Sequence, residues 1–210
     1  MIETNKEKLE RLNGEIEKNI PGFAILSKRD STLMRLLSKL LFFNKGFTTQ
    51  YVTVIYPKLY VPELPWYPND PRRAFEVLAH EYVHLQDTKR MGKVFDLLYL
   101  TPQIFALAAL GAFWNLSFLW ALLFLLPLPS PGRAYLEFRG YRMSMAVAMW
   151  QGRDPNIEWM VKQFTTGAYY WMFPFKKYLT NKFQKEYNRI EAGDLEPELK
   201  NIKDKFFTKG

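Results

Sequence analysis

Apolar positions recur at helical spacing through most of the chain, alternate briefly near residue 50, and run almost unbroken over one stretch beyond residue 97. Residues 3–19 mix charges with scattered leucine and isoleucine and predict a short amphipathic helix, ended by Pro21-Gly22. Asp30-Ser31 is placed to cap a second helix carrying Leu33, Met34, Leu36, Leu37, Leu40 and Leu41, which Asn44-Lys45-Gly46 closes. Residues 48–56, rich in β-branched and aromatic side chains, predict a strand. After a turn at Pro57-Lys58, residues 59–61 predict its return, and the prolines of 62–71 predict loop.

Asn69-Asp70-Pro71 reads as a helix start, an Asx cap followed by proline in the first turn. That helix runs to about Lys89, with Gly92 as its stop. A further helix begins at Arg133, reaches Trp150 and stops at Gly152. Residues 156–190 predict two or three aromatic-rich helices, broken near Gly167 and Pro174. The polar, lysine-rich tail of 193–210 predicts a loosely held final helix. The expected fold class is α+β, mostly helical, in one domain over 1–210.

The predicted helix after Pro71 carries His80-Glu81-Tyr82-Val83-His84, which matches H-E-x-x-H. Histidines four apart stand one above the other on one helix face, where both imidazoles can grip one metal ion. The glutamate after the first histidine then addresses a water on the metal, whose pKa the metal lowers and whose proton the glutamate removes. Zinc suits such nitrogen and carboxylate donors.

Composition sharpens this. The 210 residues include two histidines and no cysteine. Disulfide scaffolds, thiolate zinc ribbons, iron–sulfur clusters and cysteine catalysis are excluded. Two histidines placed at random in such a chain fall four apart on roughly 1% of occasions, and a glutamate after the first makes that roughly one in 1,500. A third protein ligand must be a carboxylate. Asp87 is one turn beyond His84 and would crowd the same helix, so it suits the task of orienting a ligand imidazole. Asp96 follows the helix end, Asp154 suits a cap, and Glu158 lies further on. Glu137 lies within a well-formed helical pattern, with Gly140 three residues later allowing close approach to a neighbour, and is the chosen ligand. The competing reading of Glu137 is a surface ion pair with Arg133 or Arg139.

The motif followed by a helical Glu137 resembles the gluzincin branch of zinc metallopeptidases. Within it, the layout is similar to the membrane group of the CAAX prenyl proteases and heat-shock membrane peptidases, whose H-E-x-x-H is followed by apolar helices and E-x-x-A-D. The resemblance covers roughly residues 45–150. It implies a zincin-like domain with a small β-sheet, an apolar helical hairpin between the metal-binding helices, and a substrate-pairing edge strand upstream of the motif. It also implies a zinc-dependent endopeptidase acting on peptide or protein substrates, with His80, His84 and Glu137 on zinc and Glu81 as general base. Two positions depart from the pattern. Gly140 stands in place of alanine, and Tyr141 in place of the aspartate that orients a ligand histidine, a task that Asp87 would then assume. With no further histidine, the oxyanion partner must be a tyrosine or arginine, for which Tyr141, Arg142 and Tyr170 are candidates.

No charge lies between Asp96 and Arg133. A single crossing would leave His80 and Glu137 on opposite sides of a bilayer, so 97–132 must double back if Glu137 is a ligand. Trp114-Asn115-Leu116-Ser117 is the expected tip, with Pro127, Pro129 and Pro131 at the exit. As α-helices the arms 97–114 and 116–127 would measure about 27 Å and about 18 Å, favouring a re-entrant or interfacial hairpin over two crossings. Its alternatives are a hairpin buried in the protein or against a partner in an oligomer or assembly, and one true span. Lys89, Arg90 and Lys93 before it and Arg133 and Arg139 after it favour both ends being cytoplasmic. Residues 1–12 show no apolar run, so no secretory signal is expected and a cytoplasmic location, or the cytoplasmic face of a membrane, follows. The net charge of +8 is spread along the chain, which argues against a specific nucleic-acid footprint. Two non-enzymatic alternatives remain: a zinc-bound structural component of a virion or membrane complex, and a basic membrane-binding module without metal.

Overall fold

The computed structural model describes residues 3–40, 46–67, 69–126, 128–167 and 171–208. Leu41, Asn44, Lys45, Pro127 and Tyr170, which figure in the sequence reading, lie outside the described residues. The described chain is mostly helical with one small mixed sheet, in keeping with the α+β expectation. It forms two compact units, residues 1–90 and 91–210.

In the first unit, α1 (Asn5–Asn19) begins with a capping box in which the Thr4 hydroxyl accepts from the Glu7 amide and the Glu7 carboxylate accepts from the Thr4 amide. It buries Leu12 and Ile16, four apart on one face. Strand β1 (Ala24–Ser27), which the residue pattern did not reveal, runs parallel to β3 (Lys58–Val61), and β2 (Thr53–Ile55) pairs antiparallel with β3. The order β1-β3-β2 leaves β2 at an edge. The strand expected over 48–56 is thus only three residues long. Its first half is a turn, because the Gly46 carbonyl accepts the amides of Thr49, Gln50 and Tyr51. Helix α2 (Thr32–Leu40) starts where the Ser31 hydroxyl accepts from the Met34 amide. Met34, Phe47 and Tyr60 form a buried cluster with Leu26 and Leu37 packed against it.

Helix α3 (Pro71–Met91) starts as the sequence predicts: the Asp70 carboxylate accepts from the Arg73 amide at 3.0 Å, and proline occupies the first position. Its apolar face buries Ala74, Phe75, Leu78, Ala79, Tyr82, Val83 and Leu85. The Lys89 ammonium donates to the Asn19 carbonyl at the end of α1.

The second unit is built around α5 (Pro131–Trp150), buried from Leu136 to Ala148. The start of the uncharged stretch is itself helical, as α4 (Lys93–Leu100). Two 3-10 arms follow, Gln103–Phe113 and Leu116–Leu125, packed on each other about a tip at Trp114-Asn115. The segment therefore doubles back as expected, but the arms are wound more tightly than α-helices. Their lengths are about 22 Å and about 20 Å at the 3-10 rise. Neither arm buries a residue, which removes the alternative of a hairpin buried within its own chain. Among the described residues no single helix is long and apolar enough to cross a membrane; α4 and the first arm pass by length and composition only as a pair bent by 87°.

The two ends of the segment meet. A Cβ on Gly132 would lie 2.7 Å from the Leu98 carbonyl oxygen, so the start of α5 approaches the α4 backbone as only glycine permits. Helices α6 (Ile157–Thr165) and α7 (Lys176–Glu191) add an aromatic core: Phe183 packs on Phe138 and Phe164 at ring separations of 4.8 and 5.6 Å. The tail is less loose than predicted. Helix α8 (Pro197–Phe206) buries Leu199, Ile202 and Phe206.

Candidate metal centre

Helical spacing brings the two histidines together on α3. The Nε2 atoms of His80 and His84 are 3.1 Å apart, and their rings meet edge-on with centroids 4.9 Å apart. Both residues are buried. The surrounding turns of α3 are tied down. The Glu76 carboxylate pairs with Arg73 at 2.5 Å, and the Thr88 hydroxyl donates to the His84 carbonyl at 2.8 Å.

Glu137 is 2% exposed, on α5. Its Oε1 accepts a 2.7 Å hydrogen bond from the Tyr99 phenol of α4. Such burial takes Glu137 off the surface, where an ion pair had been considered for it. Arg139 pairs with Glu198 at 2.5 Å, and Arg133 donates to the Tyr99 carbonyl and to the Gln103 side chain. His80, His84 and Glu137 each offer one ligand atom, and these atoms lie within 4.8 Å of one another. This buried group can hold a metal ion.

The donor chemistry fits a borderline divalent metal. Two nitrogens each about 2.0–2.1 Å from zinc at the tetrahedral angle stand about 3.4 Å apart, close to the observed His80–His84 separation. Two imidazoles and one carboxylate leave a fourth tetrahedral position for water or substrate.

Glu81 is half-buried beside the pair. Near it stands a residue that the sequence reading missed. Lys28, 2% exposed just beyond β1, donates from its ammonium to the Phe47 carbonyl at 2.6 Å and lies 4.0 Å from the centre of the Phe47 ring. Burial lowers its pKa to about 8, against the opposing attraction of the Glu81 carboxylate. No local pattern marks Lys28. Tyr99, by contrast, is the one tyrosine in the uncharged stretch 97–132, a signal that hydropathy alone passes over.

The remaining candidates are placed as follows. Asp87 is buried and accepts from Arg90 at 3.0 Å. Tyr141 is buried with its ring against Trp159 and Phe164. Arg142 pairs with Glu196 and lies 3.9 Å from Glu198, which commits its charge to the start of α8. Asp96, Asp154 and Glu158 are exposed; Asp154 accepts from the Asn156 amide and Glu158 pairs with Lys162. Compared with known proteins, the chain matches no family model, no curated protein and no solved structure.

Proposed function

We propose that the chain is a zinc-dependent metallopeptidase of gluzincin type, with a zincin-like fold, that hydrolyses peptide bonds. His80, His84 and Glu137 are its metal ligands and Glu81 its general base. The observation that carries this reading is the gathering of three buried donors from two helices, with a glutamate following the first histidine. A bound zinc would polarise the peptide carbonyl and acidify a water. Glu81 would take that water's proton and deliver it to the departing amine. The edge strand β2, separated from β1 by β3, would pair with an extended substrate.

The exposed hairpin supports membrane contact. Phe113 and Trp114 at its tip are 89% and 86% exposed. Apolar residues cover all sides of both arms, as in a segment surrounded by lipid. The polar tip satisfies itself, the Asn115 side chain accepting from the amide and the hydroxyl of Ser117. The same exposure also favours the second reading, a zinc-holding structural component of a virion or membrane complex, with the hairpin as its interface. A fourth protein donor on the metal would mark that reading.

The test is metal analysis of protein purified without a histidine tag, followed by Glu81→Gln. Zinc is expected at one per chain in both proteins, with cleavage of a peptide library at least ~100-fold slower in the variant. Undiminished cleavage, or a chain that takes up no metal, overturns the proposal.

A further inference from the structure

Glu137 must present one carboxylate oxygen in a fixed direction if it is a ligand, and a glutamate side chain has several rotatable bonds with which to miss it. The hydrogen bond from the Tyr99 phenol occupies Oε1 at 2.7 Å, in the short range of O–H bonds to a carboxylate. A donor on one oxygen sets the rotation of the carboxylate, and so the place of the other oxygen.

Tyr99 is itself held by several contacts. Its ring stacks on Phe95, one turn earlier, at 5.9 Å and 15°. The Arg133 guanidinium lies 5.2 Å from the ring centre, and its Nε donates to the Tyr99 carbonyl at 2.8 Å. A second Arg133 nitrogen donates to the Gln103 side chain at 3.0 Å, at the first residue of the hairpin. The Ser130 hydroxyl donates to the Thr101 carbonyl and closes the base of the same segment. Helix packing alone would need the ring of Tyr99 and the glycine at 132, but not the phenol oxygen.

We propose that Tyr99 is the positioning residue of Glu137: its phenol orients the ligand carboxylate, and Arg133 fixes Tyr99 in turn. This rests on the reading of Glu137 as a metal ligand. Glu137 and Tyr99 are 38 residues apart, so the uncharged hairpin between them is the insertion that the α4–α5 pair carries at its joined end.

The experiment uses the full chain, with zinc affinity measured by competition against a chromophoric chelator. The visible spectrum of the cobalt(II)-substituted protein reports the ligand geometry. Tyr99→Phe removes only the hydroxyl. It is expected to weaken zinc binding ~10-fold or more and to shift the cobalt bands, a change of ligand geometry that lost packing alone would not produce. Arg133→Lys, which loses the planar fork, is expected to move both readouts in the same direction by less. Tyr135→Phe, at a half-exposed tyrosine of α5, is expected to move neither. Wild-type affinity and spectrum in Tyr99→Phe, with zinc still lost in His80→Ala, overturn this proposal alone. A loss of affinity with a lower metal-free melting temperature and unshifted cobalt bands assigns Tyr99 to packing and overturns it too. A wild-type chain that takes up no zinc overturns the metal reading itself, and this proposal with it.

Discussion

The Nε2 atoms of His80 and His84 stand 3.1 Å apart on a buried face of α3. Two neutral imidazoles at that distance gain from a shared cation, and two protonated ones would repel. Substituting either histidine should therefore abolish stoichiometric metal. If zinc is the metal, the expected outcome for His84→Ala is loss of bound zinc by elemental analysis, and loss of the rise in melting temperature expected when zinc is added to the wild type. Full zinc content in that variant would place the metal elsewhere.

Lys28 provides a pH dependence with a definite sign. Its folded-state pKa is lowered from 10.5 to about 8, chiefly by burial. Between those values the unfolded chain binds the proton and the folded chain does not, so the Lys28 contribution to stability rises with pH. It is fully present above about 10.5 and lost as the pH falls through about 8. Chemical denaturation from pH 7 to 11 should show wild type gaining stability relative to Lys28→Met across that window. A constant difference between the two proteins would contradict it.

Gly132 is the second residue of α5, where alanine would ordinarily favour the helix by about 1 kcal/mol. Here the added Cβ would lie 2.7 Å from the Leu98 carbonyl oxygen, which is backbone and cannot swing aside. Steric conflict of this kind costs about 1–3 kcal/mol and outweighs the helix preference. Gly132→Ala should therefore lower stability in urea denaturation, while Gly14→Ala on α1, with nothing within 4 Å of its Cβ, should raise it.

Arg142 is 5% exposed and binds the acidic start of α8 through Glu196, with Glu198 near by. Arg142→Met keeps the volume and removes the charge-assisted bonds. A loss of about 1–3 kcal/mol is expected, because Glu196 and Glu198 are themselves partly solvated. Hydrogen exchange should show α8 opening first. Metal affinity unchanged in this variant would agree with a structural role for Arg142, in place of the oxyanion contact considered from the sequence.

The hairpin supplies the last prediction. Trp114 and Trp120 are 86% and 74% exposed. Trp114→Asp with Trp120→Asp should abolish sedimentation of the protein with anionic phospholipid vesicles, and the wild-type tryptophan emission should shift to the blue when vesicles are added. Wild-type protein that ignores vesicles but self-associates would point to the assembly reading instead.

Much of the site was legible in the chain because its rules are local. An i, i+4 pair on a capped helix shares a face whatever surrounds it, so His80, Glu81 and His84 followed from spacing, the start of α3 from Asp70-Pro71 and the end of α5 from Gly152, whereas α5 starts at Pro131, two residues before the expected Arg133. The absence of cysteine and of a third histidine left a carboxylate as the third candidate ligand, and choosing one beyond the uncharged stretch implied that the stretch doubles back. Tertiary packing decided the rest, because it joins residues whose separation carries no periodic signal. It gathered Glu137 with the histidines and left Asp96, Asp154 and Glu158 exposed. It cut the strand over 48–56 to three residues by spending three amides on the Gly46 carbonyl, and it buried Lys28 under Phe47. It set Tyr99 against Glu137, since a hydrogen bond across 38 residues exists only once α4 and α5 pack at Gly132.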